Sequence, residues 1–220
     1  MPGKWNSLDA EDLIMNKVYE ASSVGIGGEQ IHRLLPVGNR GGFRYAKRRG
    51  AKLPSLVALS ATGKVNEWPD KIDWDTGQLT YWGDNRDGST QLEKTKRGGN
   101  ALLAKTFRFL HYGKRESIPP YFLFEDVGRG RDVVFRGLLV PGGTGLGEGE
   151  DLIAEWREGE GGKFQNYRAT FTILRVPRIN KGWVADLKVG VTDSQHTPLA
   201  WSHWVQTGKA EPWLVGPEQS

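Results

Sequence analysis

Short apolar runs, each closed off by glycine, proline, asparagine or aspartate, recur along this chain and constrain its fold more than any other feature. Ser55–Ser60, Leu79–Trp82, Tyr121–Glu125, Val133–Val140, Leu152–Trp156, Tyr167–Val176 and Trp183–Leu187 have the length and composition of strands. Helical spacing shows in three places. Ser7–Ala21 places Leu8, Leu13, Ile14 and Val18 behind an acidic first turn, Glu29–Leu35 stops before Pro36, and Asn100–Phe109 is the internal helix. The expected class is α+β and β-dominated, a partly closed sheet or barrel with a few flanking helices. No repeat or linker divides the chain, so a single domain is expected over 1–220, with a helical lead-in at 1–36 and a barrel core at 37–210. The closing TGKAEPWLVGPEQS reads as chain running off a domain edge, as in a piece cut from a longer protein.

Nine tryptophans and fourteen Phe/Tyr are far too many aromatics for a disordered chain. The absence of cysteine excludes disulfide scaffolds, thiol catalysis, zinc fingers and iron–sulfur sites. No apolar run approaches the ~20 residues of a membrane helix, and the N-terminus carries acids where a signal peptide needs an apolar stretch. A cytoplasmic protein is expected. Charge is uneven: residues 1–115 hold 19 Lys/Arg against 12 Asp/Glu, a net of +7, and the remainder 11 against 14, a net of −3. The densest stretch, Arg40–Lys52, contains Arg40, Arg44, Lys47, Arg48, Arg49 and Lys52 and no acid. Such a patch either neutralises phosphates or is simply a solvated surface.

Enzymatic signatures are weak. The four histidines form no H-x-x-x-H pair, the glycine stretch Gly142–Gly149 lacks the Lys-Ser/Thr of a phosphate loop, and no G-x-S-x-G elbow occurs. A formal nuclease set exists in Pro69-Asp70 with Asp186-Leu187-Lys188, two acids and a lysine able to hold Mg²⁺. Three common residue types at free spacing arise by chance, so no catalytic or metal site is assigned.

The informative segment is Glu67–Leu103, in which Trp68, Asp70, Asp73, Trp74, Asp75, Tyr81, Trp82 and Asp84 alternate closely before a basic patch of Lys94, Lys96 and Arg97. Extracting a base from a duplex needs flat faces for the ring, an acceptor for the cytosine N4 amine, and cations for the distorted backbone. All three kinds of group occur here. The plain structural alternative makes the aromatics core residues and the aspartates turn formers.

The run TYWGDNRDG, with Leu92, Thr95, Gly99-Asn100 and Leu102-Leu103 after it, resembles the core of SRA (SET- and RING-associated) domains, readers of flipped methylcytosine. A wider set of blocks is similar to the SRA-like N-terminal domain of AspBHI-type modification-dependent restriction endonucleases. These are Gly38–Arg44, the WPD…YWGDN stretch, Phe135–Leu138, Phe164–Arg168 and Trp201–Trp204, in order over residues 38–204. The resemblance implies an SRA/PUA-like twisted, partly closed β-barrel that binds double-stranded DNA and flips a 5-methyl- or 5-hydroxymethylcytosine into a pocket. Cleavage would then reside in a fused, Mg²⁺-dependent nuclease domain, with no cofactor in this one.

The resemblance implies a base pocket among Trp68, Asp70, Asp73, Trp74, Tyr81, Trp82, Asp84 and Asn85. Tyr81 matches the stacking aromatic, Trp68 or Trp74 is the opposite face, and Asp70, Asp73 and Asp75 compete for the N4 amine, with Asp73 favoured. Backbone or groove contacts fall to Asn39, Arg40, Arg44, Lys47, Arg48, Arg49, Arg86, Lys94, Lys96 and Arg97. Asn166 is expected to bond a turn, and Trp201 and Trp204 to pack a closing helix. Rival readings are an RNA-binding module of the same superfold, a self-contained nuclease using Asp70, Asp186 and Lys188, and an aromatic scaffold for a protein partner.

Overall fold

A computed structural model of the chain describes residues 11–21, 30–38, 41–47, 50–51, 53–61, 69–127, 131–159 and 162–216. Among these, the order of elements is β1 (Leu13–Ile14), β2 (Val18–Tyr19), α1 (Ile31–Leu34), β3 (Phe43–Tyr45), β4 (Val57–Ala61), β5 (Lys71–Asp73), β6 (Gln78–Trp82) and α2 (Gly99–His111). It continues with β7 (Tyr121–Asp126), β8 (Val133–Pro141), β9 (Leu152–Gly159), β10 (Gly162–Ile173), β11 (Arg178–Ile179), α3 (Lys181–Val189) and α4 (Leu199–Thr207).

Nine of the strands form one sheet along the path β3-β4-β7-β8-β10-β6-β5, with β2 added on β8 and β9 on β10. Pairing in it is antiparallel except between β4 and β7, whose connection runs through the β5–β6 hairpin and α2. The sheet curls on itself. Phe43, on the strand at one end, reaches Tyr81, next to the other end, with ring centroids 6.2 Å apart. The result is a partly closed barrel with a seam where its ends approach without pairing.

Both faces of the sheet are buried, which explains the unbroken apolar runs. Along β7, Tyr121 and Leu123 point into the barrel while Phe122 and Phe124 point out, as the two-residue strand period requires. The inner core is plugged by α2 through Leu102, Leu103 and Phe107. The outer core is covered by α1, α3 and α4, where Trp183, Trp201 and Trp204 stack in sequence at centroid distances of 5.9 and 5.1 Å. Each such side chain stabilises the fold by roughly 1.5–3 kcal/mol through burial. On β8, Leu123 faces Gly137 while Phe124 faces Phe135, so Arg136 is the extra residue of a β-bulge. Gly137 has φ +130, and a Cβ there would stand 2.7 Å from Ile173 Cγ2. Only glycine fits.

Six of the seven predicted strands and the helix at Asn100–Phe109 are present. Two expectations fail. Within Ser7–Ala21 the described residues 11–21 form β1 and β2 around Asn16, whose φ is +61. Their hydrogen-bonding partners lie far along the chain, Leu13 opposite Ile179 and Val18 opposite Val134, so tertiary pairing overrides helical spacing. Trp183–Leu187 is helical in α3, not a strand. Asn180 caps it by accepting the Gly182 amide at 2.7 Å, Gly190 ends it in the left-handed conformation, and Trp183, Val184 and Leu187 share one buried face. The expected closing helix at Trp201 and Trp204 is α4. Among the described residues no helix is long and apolar enough to cross a membrane.

Candidate nucleic-acid interface

The seam of the barrel opens into a cavity of about 370 Å³, lined from one side by Gly42, Phe43 and Ser60 and from the other by Asp70, Tyr81, Trp82, Gly83 and Asp84, with Arg86 and Arg97 also on its wall. Its size is at the lower end of the ~300–1,000 Å³ typical of small-molecule sites. Two segments remote in sequence build it because the curl of the sheet brings β3–β4 against β5–β6.

Asp70 stands just before β5, where its Oδ1 accepts the Trp82 amide at 3.0 Å and so fixes the carboxylate against the cavity wall. Tyr81 is 5% exposed, with its ring in the inner core. Its hydroxyl is 4.0 Å from where a Cβ on Gly42 would stand. Burial, and then the carboxylates of Asp70 and Asp84, raise its pKa well above the ordinary phenol value, so it remains a neutral donor. Trp82 lines the cavity, but Arg157 stacks on its ring with the guanidinium carbon 4.3 Å from the centroid.

The floor beside these residues is a hydrogen-bonded turn. The Asp84 carboxylate accepts the Gly99 and Asn100 amides at 3.0 and 2.9 Å, capping α2 from outside its own chain segment. Asn100 Oδ1 accepts the Asp84 amide at 3.0 Å. Asn166, fully buried on β10, donates to the Gly83 carbonyl at 2.9 Å while its Oδ1 accepts from Asn100 Nδ2 at 3.0 Å and from the Asn85 amide at 3.3 Å. Asn85 Nδ2 donates in turn to the Gln165 and Thr90 carbonyls at 2.8 and 3.2 Å. A Cβ on Gly83 would lie 1.8 Å from Asn100 Oδ1, so the network closes only around glycine. Asn166 bonds a turn as expected.

These positions revise the residue assignments. Asp73 and Trp74 are not at the cavity: they form the β5–β6 turn at its far end, where Asp73 pairs with Gln78. The Asp73 carboxylate accepts the Asp75 and Thr76 amides at 3.0 and 3.3 Å, the role of a turn former. Trp74 packs there against Gly216. Asp84 and Asn85 act as scaffold, their polar groups turned inward. Among the described residues predicted for the pocket, Asp70, Tyr81, Trp82 and Asp84 line the cavity.

Among the predicted cations, Lys47, Arg86, Lys94, Lys96 and Arg97 are exposed. Arg97 lies across the Gly41 turn, so close that a Cβ on Gly41 would overlap its guanidinium, and its carbonyl accepts the Tyr45 hydroxyl at 3.2 Å. Arg44 is 6% exposed and its Nε donates to the Gly41 carbonyl at 2.5 Å, so it braces this loop from within and is not a surface contact. Trp68, Asn39, Arg40, Arg48 and Arg49 lie outside the described residues. The formal nuclease set does not assemble. Asp186 is on α3, against the outer core, and accepts Ser194 Oγ and His196 Nδ1 at 2.6 and 3.0 Å. Among the described residues no group of three or more His, Asp or Glu could hold a metal ion.

Sequence reasoning missed Gly42, Phe43 and Ser60, which only the curl brings to the site. β9, expected as a strand, pairs with the outer half of β10, which was not, to form a two-stranded ribbon. The ribbon leaves the sheet where Arg168 pairs with Trp82, and passes beside the Gly83–Asn85 turn.

Over residues 13–215 the sequence matches the family described as Restriction endonuclease AspBHI N-terminal. The structure superposes on a chain of the DNA modification-dependent restriction endonuclease AspBHI with a TM-score of 0.88 and 38% identity, covering 96% of this chain and 97% of that one. The DNA recognition domain of the cytosine modification-dependent restriction endonuclease LpnPI gives 0.85 and 34% over 100% of both chains. The MspJI restriction endonuclease in complex with a 27-mer oligonucleotide shares the fold, at 0.63 and 20% identity over 96% of this chain and 55% of that one. No curated protein sequence matches the chain. By its sequence over nearly its whole length and by its fold, the chain belongs to the family of AspBHI-type restriction endonuclease N-terminal recognition domains.

Proposed function

We propose that this domain binds double-stranded DNA and takes a modified cytosine, extruded from the duplex, into the seam cavity. The observation that carries the reading is the pairing of Asp70 and Tyr81 in one cavity of nucleobase size. Cytosine presents a donor, its N4 amine, beside acceptors on the same edge. A carboxylate fixed against the Trp82 amide supplies the acceptor, and a hydroxyl held protonated supplies the donor. Arg86 and Arg97 on the cavity wall set positive charge at its mouth, and the exposed Lys94 and Lys96 of the same loop add to it, for the DNA backbone. AspBHI depends on DNA modification and LpnPI on cytosine modification, which supports the same substrate for this chain. In the parent enzyme, cutting is assigned to a separate nuclease domain and its Mg²⁺, with this domain selecting the site.

The test is binding to matched duplexes carrying cytosine, 5-methylcytosine, 5-hydroxymethylcytosine or its glucosylated form, at two salt concentrations, with a structured RNA alongside. A preference of tenfold or more for one modification, about 1.4 kcal/mol, is expected and names the base. Salt-dependent binding with no preference, or preference for the RNA, would reject the reading.

A further inference from the structure

Arg97 bridges the seam from the outside. It is exposed and stands on the cavity wall, at the end of the 86–97 loop that follows β6. The turn it touches, Gly41-Gly42, leads into β3 at the opposite end of the sheet. Gly41 has φ +97, and a Cβ there would stand 1.4 Å from Arg97 Nη1, so the guanidinium lies directly on the backbone of that turn. Both sides of the bridge are anchored. The Gly41 carbonyl accepts Arg44 Nε from within, and the Gly42 carbonyl accepts the Ser60 amide at 2.7 Å. The Arg97 carbonyl accepts the Tyr45 hydroxyl at 3.2 Å, and two residues on, Asp84 caps the Gly99 amide. An anchored backbone thus carries an exposed cationic head where the two sides of the seam meet.

The cations of this loop differ in what they can reach. Lys94 and Lys96 are exposed and stand outside the cavity lining, whereas Arg97 is part of it. A base leaves the stack by rotation about its backbone, which brings its flanking phosphates to the pocket with it. A cation on the pocket wall meets those phosphates only when the base is inside, while cations elsewhere meet the phosphates of any duplex. Arginine suits the contact because its planar fork holds two phosphate oxygens at once. Since the guanidinium is exposed, exchanging the Gly41 turn for a phosphate opens no part of the core.

We propose that Arg97 is a specificity-determining residue: laid across the seam at the cavity wall, its guanidinium grips a phosphate flanking the extruded base and so strengthens binding to modified duplexes alone. This rests on the reading of the cavity as a modified-base pocket and adds to it the place of the nucleotide's backbone.

The test measures binding of wild type, Arg97→Ala, Arg97→Lys and Lys94→Gln to a duplex carrying one 5-methylcytosine, or 5-hydroxymethylcytosine if wild type prefers it, and to its unmodified match. Wild type and Arg97→Ala are also measured on modified duplexes in which either phosphate flanking the modified cytosine is replaced by an uncharged methylphosphonate. Arg97→Ala is expected to bind the modified duplex about tenfold more weakly and the unmodified one within about twofold of wild type. Arg97→Lys should fall between, and Lys94→Gln should weaken both duplexes alike. At one flanking position the methylphosphonate should weaken wild type about tenfold and Arg97→Ala less than about twofold, because cation and phosphate act as a pair. Equal weakening of both duplexes by Arg97→Ala, with or without a lowered denaturation midpoint, would overturn the proposal. So would methylphosphonate losses that add to the Arg97→Ala loss at both positions. Either result leaves the modified-base pocket standing, whereas a wild type without preference for the modified duplex removes the pocket and the proposal together.

Discussion

Trp183, Trp201 and Trp204 stack on the outer face of the sheet, all of them buried. Trp82 and Trp156 belong instead to the seam and its ribbon, one ring under a guanidinium and the other in solvent. The two regions draw on the same residue type for different work. In the outer core these aromatics, carried by α3 and α4, pack into an apolar cluster against the sheet, with Trp183 Nε1 donating to the Thr192 carbonyl at its edge. At the seam Trp82 lines the cavity with Asp70, Asp84, Arg86 and Arg97 and its ring lies under Arg157, so aromatic surface lies beside charge at an opening. Aromatic abundance marks a folded chain. Aromatic surface next to charge and a cavity marks the site.

Substitutions can break or sharpen that contrast. The largest effect is expected at Trp183→Ala, which should lose about 3–5 kcal/mol of stability by denaturant titration and keep the modified-to-unmodified affinity ratio in the folded protein. Loss of that ratio would show that the two regions are not separate. Next is Asn166→Ala, which strands the Asn85 amide and the Gly83 carbonyl and leaves Asn100 Nδ2 only the Leu92 carbonyl. Stability should fall by about 2–3 kcal/mol, and faster hydrogen exchange should be confined to the Gly83–Asn85 turn and the start of α2. Asp70→Asn retains an acceptor for the Trp82 amide but removes the charge. It should weaken modified-duplex binding by about 2 kcal/mol, while Asp73→Asn leaves binding within about 0.5 kcal/mol of wild type. The smallest effect is expected for Lys94 and Lys96 changed to Gln, weakening all duplexes alike and flattening the salt dependence by about 0.9 in slope for each phosphate no longer neutralised.

Tyr81→Ala would not make a clean binding test, although its place in the TYWGDN run makes it the expected stacking face. The ring is part of the inner core beside Phe43, so its removal leaves a cavity and costs stability too. Tyr81→Phe retains the packing and removes only the donor.

Elements whose partners or caps lie close in sequence were legible. β6, β9 and the inner half of β10, β7 and β8 with their unbroken apolar runs, and α2 fall near their expected positions, whereas the three-residue β5 and the outer half of β10 were not expected as strands. β1 and β2 were not, because Leu13 finds its partner at Ile179 and nothing local distinguishes that pairing from a helical stripe. α3 reads as a strand because Trp183-Val184 resembles a strand start, although its caps Asn180 and Gly190 are visible in the sequence. At the site, Asp70, Tyr81 and Trp82 were legible as a cluster, but three aspartates within six residues could be ranked only by knowing which end of the hairpin faces the seam. Register gives their places: Asp73 opposite Gln78 is at the turn end, and Asp70 beside Trp82 is at the cavity end. Ser60 and Gly42 required the curl of the whole sheet.

Entry of a base into the seam can be tested by cross-linking because the chain contains no cysteine. Ser60→Cys places the only thiol in the cavity wall, and Ser117→Cys places one on the surface at the 3-10 turn Arg115–Ser117. Each is mixed with a duplex bearing a short thiol tether on C5 of a central cytosine, under disulfide-exchange conditions. Cross-linking at Ser60→Cys is expected to be at least tenfold faster than at Ser117→Cys, and suppressed by excess modified duplex without the tether. Equal rates at the two positions would contradict entry of the base into the seam.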